Sequence, residues 1–160
     1  MPELVPNVWI NHMAEEAAHF YLSVFPDSRI VRVGRYSELG PGEPGSVAWI
    51  ELDLGGTSLV IINGQGEFEP TPGVSLLIPC ETQEEIDHYW SKLAEGGQEM
   101  QCGWLTDRFG VTWQVAPRMF DDLMADPHSP ASQRAWAAMM QMTKIDIATI
   151  QRAIDDADEA

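Results

Sequence analysis

Four histidines, two cysteines and a few amides are the side chains of this sequence best suited to chemistry, and their spacing builds no familiar catalytic set. His12 falls at a predicted helix start and His128 in a proline-flanked loop, far apart along the chain. His19 and His88 sit beside glutamates on predicted helices, so solvent-facing side chains are expected there. Cys80 and Cys102 match no zinc-ligand spacing. In a reducing compartment such thiols are packed rather than bridged. A nucleophilic cysteine would need an activating histidine or a depressed pKa. There is no Gly-x-Ser-x-Gly elbow and no phosphate-cradling loop; Gly64-Gln65-Gly66 reads as a short linker.

Charge removes whole classes of partner. The 160 residues carry a formal charge of −16, with only nine lysines and arginines. Phosphate backbones are held mainly by those side chains, so no nucleic-acid partner is expected, nor an anionic membrane surface. No apolar run reaches the ~18–20 residues of a membrane span. The opening MPELVPNVWINH lacks the basic start and apolar stretch of a signal peptide. The expectation is an acidic, soluble, cytoplasmic protein folded as a single domain, with 44% hydrophobic residues to form its core.

The elements that must position any site come from a repeat. Shifting the chain by 69 residues lays Val5 on Val74, Glu15-Glu16 on Glu84-Glu85, His19 on His88, and Phe20-Tyr21 on Tyr89-Trp90, without a gap. The order of elements repeats with them, as expected of a duplicated unit. In the first half, strand 5–10 precedes a helix that Asn11 can cap and that runs to about Phe25, with Ala14, Ala17, Ala18, Tyr21, Leu22 and Phe25 on one stripe. Strands follow at 30–36, 46–54 and 57–63, the last two joined by Gly55-Gly56. In the second half, strand 74–79 precedes a helix capped by Thr82 and ended by Gly96-Gly97. Strands at 98–102, 104–106 and 111–116 follow, the last pair turned by Asp107-Arg108-Phe109-Gly110. The fold class is therefore α+β: paired βαβββ modules over 3–64 and 73–117, with a helical C-terminal extension over 118–160. In that extension Ser129-Pro130 opens a helix with Trp136, Met139 and Met140 on one face, a stripe expected to serve core or dimer packing. A last helix carries Ile147, Ile150 and Ile154.

Several local stretches carry a family likeness. They are Pro6-Asn7-Val8-Trp9, Ala14-Glu15-Glu16-Ala17 and Val24-Phe25-Pro26-Asp27-Ser28, then Pro79-Cys80-Glu81-Thr82-Gln83-Glu84-Glu85, Cys102-Gly103-Trp104, Asp107-Arg108-Phe109-Gly110-Val111-Thr112-Trp113-Gln114 and the tail Met142-Thr143-Lys144-Ile145-Asp146. In their order and spacing the sequence resembles the PhnB-like branch of the glyoxalase/bleomycin-resistance/vicinal-oxygen-chelate superfamily, a branch labelled 3-demethylubiquinone-9 3-methyltransferase-like. The resemblance implies two half-open cups facing a pocket, and a homodimer. It also implies four inward metal-ligand positions, one on each first strand and one on each last strand. These fall on Val5 and Val74, on Gln114, and on Ile61 or Asn63. Within two places of Val5, Val74 or Gln114, Glu3 is the one His, Asp or Glu. Neutral amides and valines hold a divalent metal poorly, so neither a metal nor another cofactor is expected.

Strand alternation and the resemblance together give a candidate pocket lining: Asn7, Trp9, Asn63, Leu76, Ile78, Cys102, Trp104, Thr112 and Gln114. For Asn7, Asn63 and Gln114 the alternative is satisfaction of buried backbone groups. For Trp9, Trp104 and Trp113 it is core packing. The methyltransferase label finds no support in the residues: the first strand leads into Asn11-His12-Met13, with no glycine turn for S-adenosylmethionine. The functional expectation is a small-molecule-binding superfamily member of unknown reaction, its ligand unidentified. A non-catalytic sequestering protein, or a metal-dependent lyase or dioxygenase with displaced ligands, stands as the alternative.

Overall fold

The computed structural model describes residues 4–155, and says nothing of the Met124 side chain. The first-module boundary at residue 3, Glu3 itself and the end of the extension therefore lie outside the described residues. The chain divides into two compact units, one up to Thr71 and one from Pro72 onward.

The first unit contains β1 (Asn7–Asn11), α1 (Ala14–Val24), β2 (Ser28–Arg35), β3 (Val47–Leu54) and β4 (Thr57–Gly64). Its sheet runs β1-β4-β3-β2, with β1 parallel to β4 and the other pairs antiparallel. The second contains β5 (Leu76–Cys80), α2 (Gln83–Leu93), β6 (Gln98–Glu99), β7 (Trp104–Thr106) and β8 (Thr112–Pro117), in the same order β5-β8-β7-β6. α3 (Met119–Ala125), α4 (Pro130–Met139) and α5 (Ile147–Asp155) complete it. The paired βαβββ architecture with added C-terminal helices is thus present.

Each long helix covers one face of its own sheet. Ala14, Ala17, Ala18, Tyr21 and Val24 of α1 are buried with Ile10, Ile50, Leu52 and Ile61. Ile86, Trp90 and Leu93 of α2 are buried with Cys80, Leu105, Trp113 and Val115. The opposite sheet face is left for a site.

The 69-residue repeat holds for the helices but slips by one in the first strands. Tyr21 and Trp90 are equivalent buried positions, 69 apart, whereas inward Ile10 corresponds to inward Cys80, 70 apart. The extra residue lies in the β1–α1 connection, where Asn11, His12 and Met13 do what Glu81 and Thr82 do in the second unit. His12 absorbs it with a left-handed backbone (φ 61°).

Helix entry differs accordingly. Thr82 and Glu85 form a reciprocal capping box: Glu85 N donates to Thr82 Oγ1 (3.2 Å), and Thr82 N to Glu85 Oε2 (3.3 Å). Asn11 does not cap α1; Met13 occupies the N-cap position without a side-chain bond. Asn11 instead accepts from Trp9 Nε1 and Gly66 N and donates to Phe68 O. The first free amide of α1, Ala14 N, donates to Asn63 Oδ1 on β4 (3.3 Å).

Turn chemistry follows the sequence more closely. Gly55 and Gly56 have φ of 62° and 95°, the paired left-handed geometry of a tight hairpin. In the second unit, buried Asp107 organises the β7–β8 turn. Its Oδ1 accepts from Phe109 N (2.8 Å) and Val111 N (3.1 Å), and its Oδ2 from Trp113 Nε1 (2.8 Å).

Candidate functional site

The sheet face opposite each long helix bears a depression. In the second unit the floor is one row of paired residues: Leu77 on β5, Gln114 on β8 and Trp104 on β7. Pro79 and Ala116 form the next row. Pro117 at the end of β8, Arg118, Phe120 and Asp121 at the start of α3, and Trp136, Met139 and Met140 along α4 and its C-cap close it into a cavity of about 440 Å3, with Cys102 in its wall. That volume lies at the low end of the ~300–1,000 Å3 of ordinary small-molecule sites.

Polar groups are few. Gln114 Nε2 donates to Ser75 Oγ (2.7 Å), a bond that fixes the amide and leaves Oε1 as an acceptor. Arg118 pairs with Glu81 (Nε–Oε1 2.6 Å). Cys102 has a left-handed backbone (φ 62°), and its N–H donates to Met142 O (2.8 Å); its sulfur lies 3.6 Å from Met140 Sδ. The next residue must be glycine: Gly103 has φ 79°, and a Cβ there would lie 2.6 Å from Val115 O. The other cysteine, Cys80, is buried against the helix, and desolvation, with Glu85 nearby, pushes its thiol from the ordinary 9.0 to about 11. It stays a protonated core thiol.

The first unit presents a shallower groove of about 490 Å3 between Val5, Asn7, Arg32, Tyr36, Ala48, Trp49, Glu51, Val60 and Ile62. Its central row is Asn7–Val60–Glu51–Arg32, with Val60 in the place of Gln114 and Glu51 in that of Trp104. Arg32 donates to Glu51 Oε2 (2.6 Å) and lies 5.8 Å from the Trp49 ring centroid. Gly34 lets that ring lie flat, since a Cβ there would fall 2.1 Å from Trp49 Nε1.

The expected site residues divide. Cys102, Trp104 and Gln114 line the second-unit cavity and Asn7 the first-unit groove. Leu76 and Ile78 do not line the cavity: the one-residue slip puts Leu77 and Pro79 there and turns Leu76 and Ile78 to the helix side. Asn63 is also turned away, spent on Ala14 N and, through Nδ2, on Val47 O (2.8 Å). Neither Asn63 nor Ile61, which is fully buried, matches Gln114; Val60 does. Trp9 is held by Asn11 and packs edge-on against Phe68, 5.2 Å between centroids. Thr112 shares the Gln114 face by alternation but is 1% exposed and outside the cavity lining. Val74 is exposed before β5, so Ser75 takes the first-strand position matching Val5. All four histidines are exposed. The α3–α4 residues were missed as lining; the Trp136–Met140 stripe was visible, but periodicity alone does not separate packing from a cavity wall.

The four positions to which the resemblance assigns metal ligands correspond in the paired strands to Val5, Val60, Ser75 and Gln114. A hydroxyl, an amide and two isopropyl groups do not fit a divalent cation. Among the described residues no three His, Cys, Asp or Glu side chains are placed to hold a metal. Nor does any helix of the described residues have the length and apolarity to cross a membrane.

Two mixed sheets of identical order, each backed by one helix, define a glyoxalase/vicinal-oxygen-chelate protein. Within that superfamily the chain belongs to the PhnB-like family described as 3-demethylubiquinone-9 3-methyltransferase, whose model matches residues 2–116. It is similar to the PhnB protein of Bacillus cereus, with 36% identity over 71% of this chain and 98% of that one (TM-score 0.64). A Pseudomonas aeruginosa protein, PA1353, shares 21% identity over 73% and 98% (TM-score 0.62). The fosfomycin resistance protein FosX of Mesorhizobium loti shares the fold at 15% identity over 79% and 100% (TM-score 0.55). No curated protein matches. The family match ends before α3, so much of the cavity wall comes from chain beyond it.

Proposed function

We propose that this protein binds an apolar small molecule in the second-unit cavity, with no metal at the position its fold reserves for one. The observation that carries the reading is the cavity itself: an apolar chamber built around one oriented amide, Gln114 held by Ser75. Such a combination gives affinity through burial and orientation through one hydrogen bond. Calorimetric or thermal-shift screening of small aromatic compounds tests it. A hit should lose about fivefold in affinity in Gln114→Ala, the worth of about one hydrogen bond. Unchanged affinity would place the ligand elsewhere. Protein purified without added metal should contain well under one equivalent of zinc, nickel, manganese or iron; a stoichiometric metal would reject the metal-free part.

Binding without turnover is favoured over catalysis by the polar groups at hand. Arg118 is tied to Glu81, Cys102 faces a thioether, and no histidine lines the cavity. A hit that remains chemically unchanged after hours with the protein supports the binder; a product supports an enzyme. Methyl transfer from S-adenosylmethionine is not part of this reading, because each sheet has one parallel pair and β1 runs into Asn11-His12-Met13 rather than a glycine turn. A homodimer in the cytoplasm completes the proposal. Ile30, Val31 and Val33 stand exposed on edge strand β2, apolar surface that a second copy could cover. Light scattering after size exclusion should give twice the chain mass.

A further inference from the structure

The rim of the second-unit cavity has a sign. Its two charged residues, Arg118 and Asp121, come from the N-cap and first turn of α3. Arg118 is answered by Glu81 at 2.6 Å. Asp121 makes no ion pair among the described residues, and Asp122 follows it. The local balance is negative, and it sits in a chain with 25 acidic against nine basic side chains. Inside, Trp104, Trp136 and Phe120 contribute aromatic surface, and Met139 and Met140 contribute polarisable sulfur. Gln114 spends one Nε2 hydrogen on Ser75, which orients the amide and keeps its Oε1 available as an acceptor.

We propose that this cavity selects small hydrophobic cations, aromatic amines or quaternary ammonium compounds, over neutral or anionic molecules of the same shape. The inference rests on the reading of the cavity as a small-molecule site. Aromatic faces attract a cation through their quadrupole. Asp121 adds an unanswered negative charge at the mouth, and the net charge of the chain raises the local cation concentration. A ligand N–H meets the free Gln114 oxygen. An anion would meet Arg118, whose charge Glu81 already offsets, beside the unpaired charge of Asp121.

The test uses three probes on one ring system: 1-naphthylmethylammonium, 1-naphthylmethanol and 1-naphthoate, titrated calorimetrically into the full chain. The cation should bind about tenfold tighter than the alcohol, a difference of about 1.4 kcal/mol, and the carboxylate should bind weakest. The cation's advantage should shrink about threefold in about 0.5 M salt, where screening is short-ranged, and by a similar factor in Asp121→Asn. Trp136→Leu should weaken the cation more than the alcohol. Equal binding of cation and alcohol, or tighter binding of the carboxylate, would overturn the charge preference while leaving the cavity assignment standing. Failure of all three probes to bind would overturn the cavity assignment itself.

Discussion

The rows Asn7–Val60–Glu51–Arg32 and Leu77–Gln114–Trp104 occupy equivalent places in two sheets of one topology, yet they present opposite chemistry. The first satisfies itself: Arg32 is paired with Glu51 and lies over Trp49, and Asn7 donates to Val5 O at 2.8 Å. The second is apolar except for one amide, and the chain that follows β8 closes over it. Duplication has preserved the backbone ladder, which depends on hydrogen bonds common to all residues. The side chains of a single row, together with an appended helical segment, decide which copy offers a site.

The comparison can be broken most forcefully at the turns. Asp107→Ala removes the acceptor for two buried amides and the Trp113 indole, and should cost about 3 kcal/mol in urea unfolding. Asp53→Ala, at the matching first-unit turn, removes an exposed bond to Gly56 N (2.7 Å) and a surface ion pair with Arg29 (2.7 Å), and should cost about 1 kcal/mol. Equal costs would mean the Asp107 network does not lock the second sheet. Next come the two amides. Asn63→Ala should lose about 1–2 kcal/mol of stability by stripping α1 of its cap and removing the bond to Val47 O, with probe binding unchanged. Gln114→Ala should do the reverse, weakening a cavity ligand while shifting the unfolding midpoint little.

The cysteines give the smallest effects. At pH 8 iodoacetamide should modify Cys102 in the native protein and reach Cys80 only after unfolding, with a bound cavity ligand slowing the first reaction. Because the native state holds the Cys80 proton more tightly than the unfolded chain does, its contribution to stability is intact below about pH 9. It declines as pH rises toward about 11. Cys80→Ala should flatten that decline; an identical alkaline profile would assign it to other groups.

Much of the fold was legible because its signals are local. Thr82 with Glu85, Gly55-Gly56, Ser129-Pro130 and the buried stripe of α1 each specify an element without distant help. The α1 cap was not, since Asn63 reaches Ala14 N across 49 residues of sequence. The site was half legible for a related reason. Gln114 lines the cavity where alternation puts it, and Trp104 and Cys102 where the family likeness does, but a period of two makes any one-residue slip an inversion. The slip at His12 therefore exchanged Leu76 and Ile78 for Leu77 and Pro79. The α3–α4 wall escaped because a helical stripe does not declare whether it faces protein or a void.

Methyl-resolved NMR with labelled methionine, isoleucine and valine tests the central claim most directly, since the two copies carry different reporters. Titration with 1-naphthylmethylammonium should shift the Met139 and Met140 methyl signals progressively and leave Val60 and Ile62 in place. Shifts confined to Val60 and Ile62, or silence at both methionines, would contradict the assignment of the ligand site to the second unit.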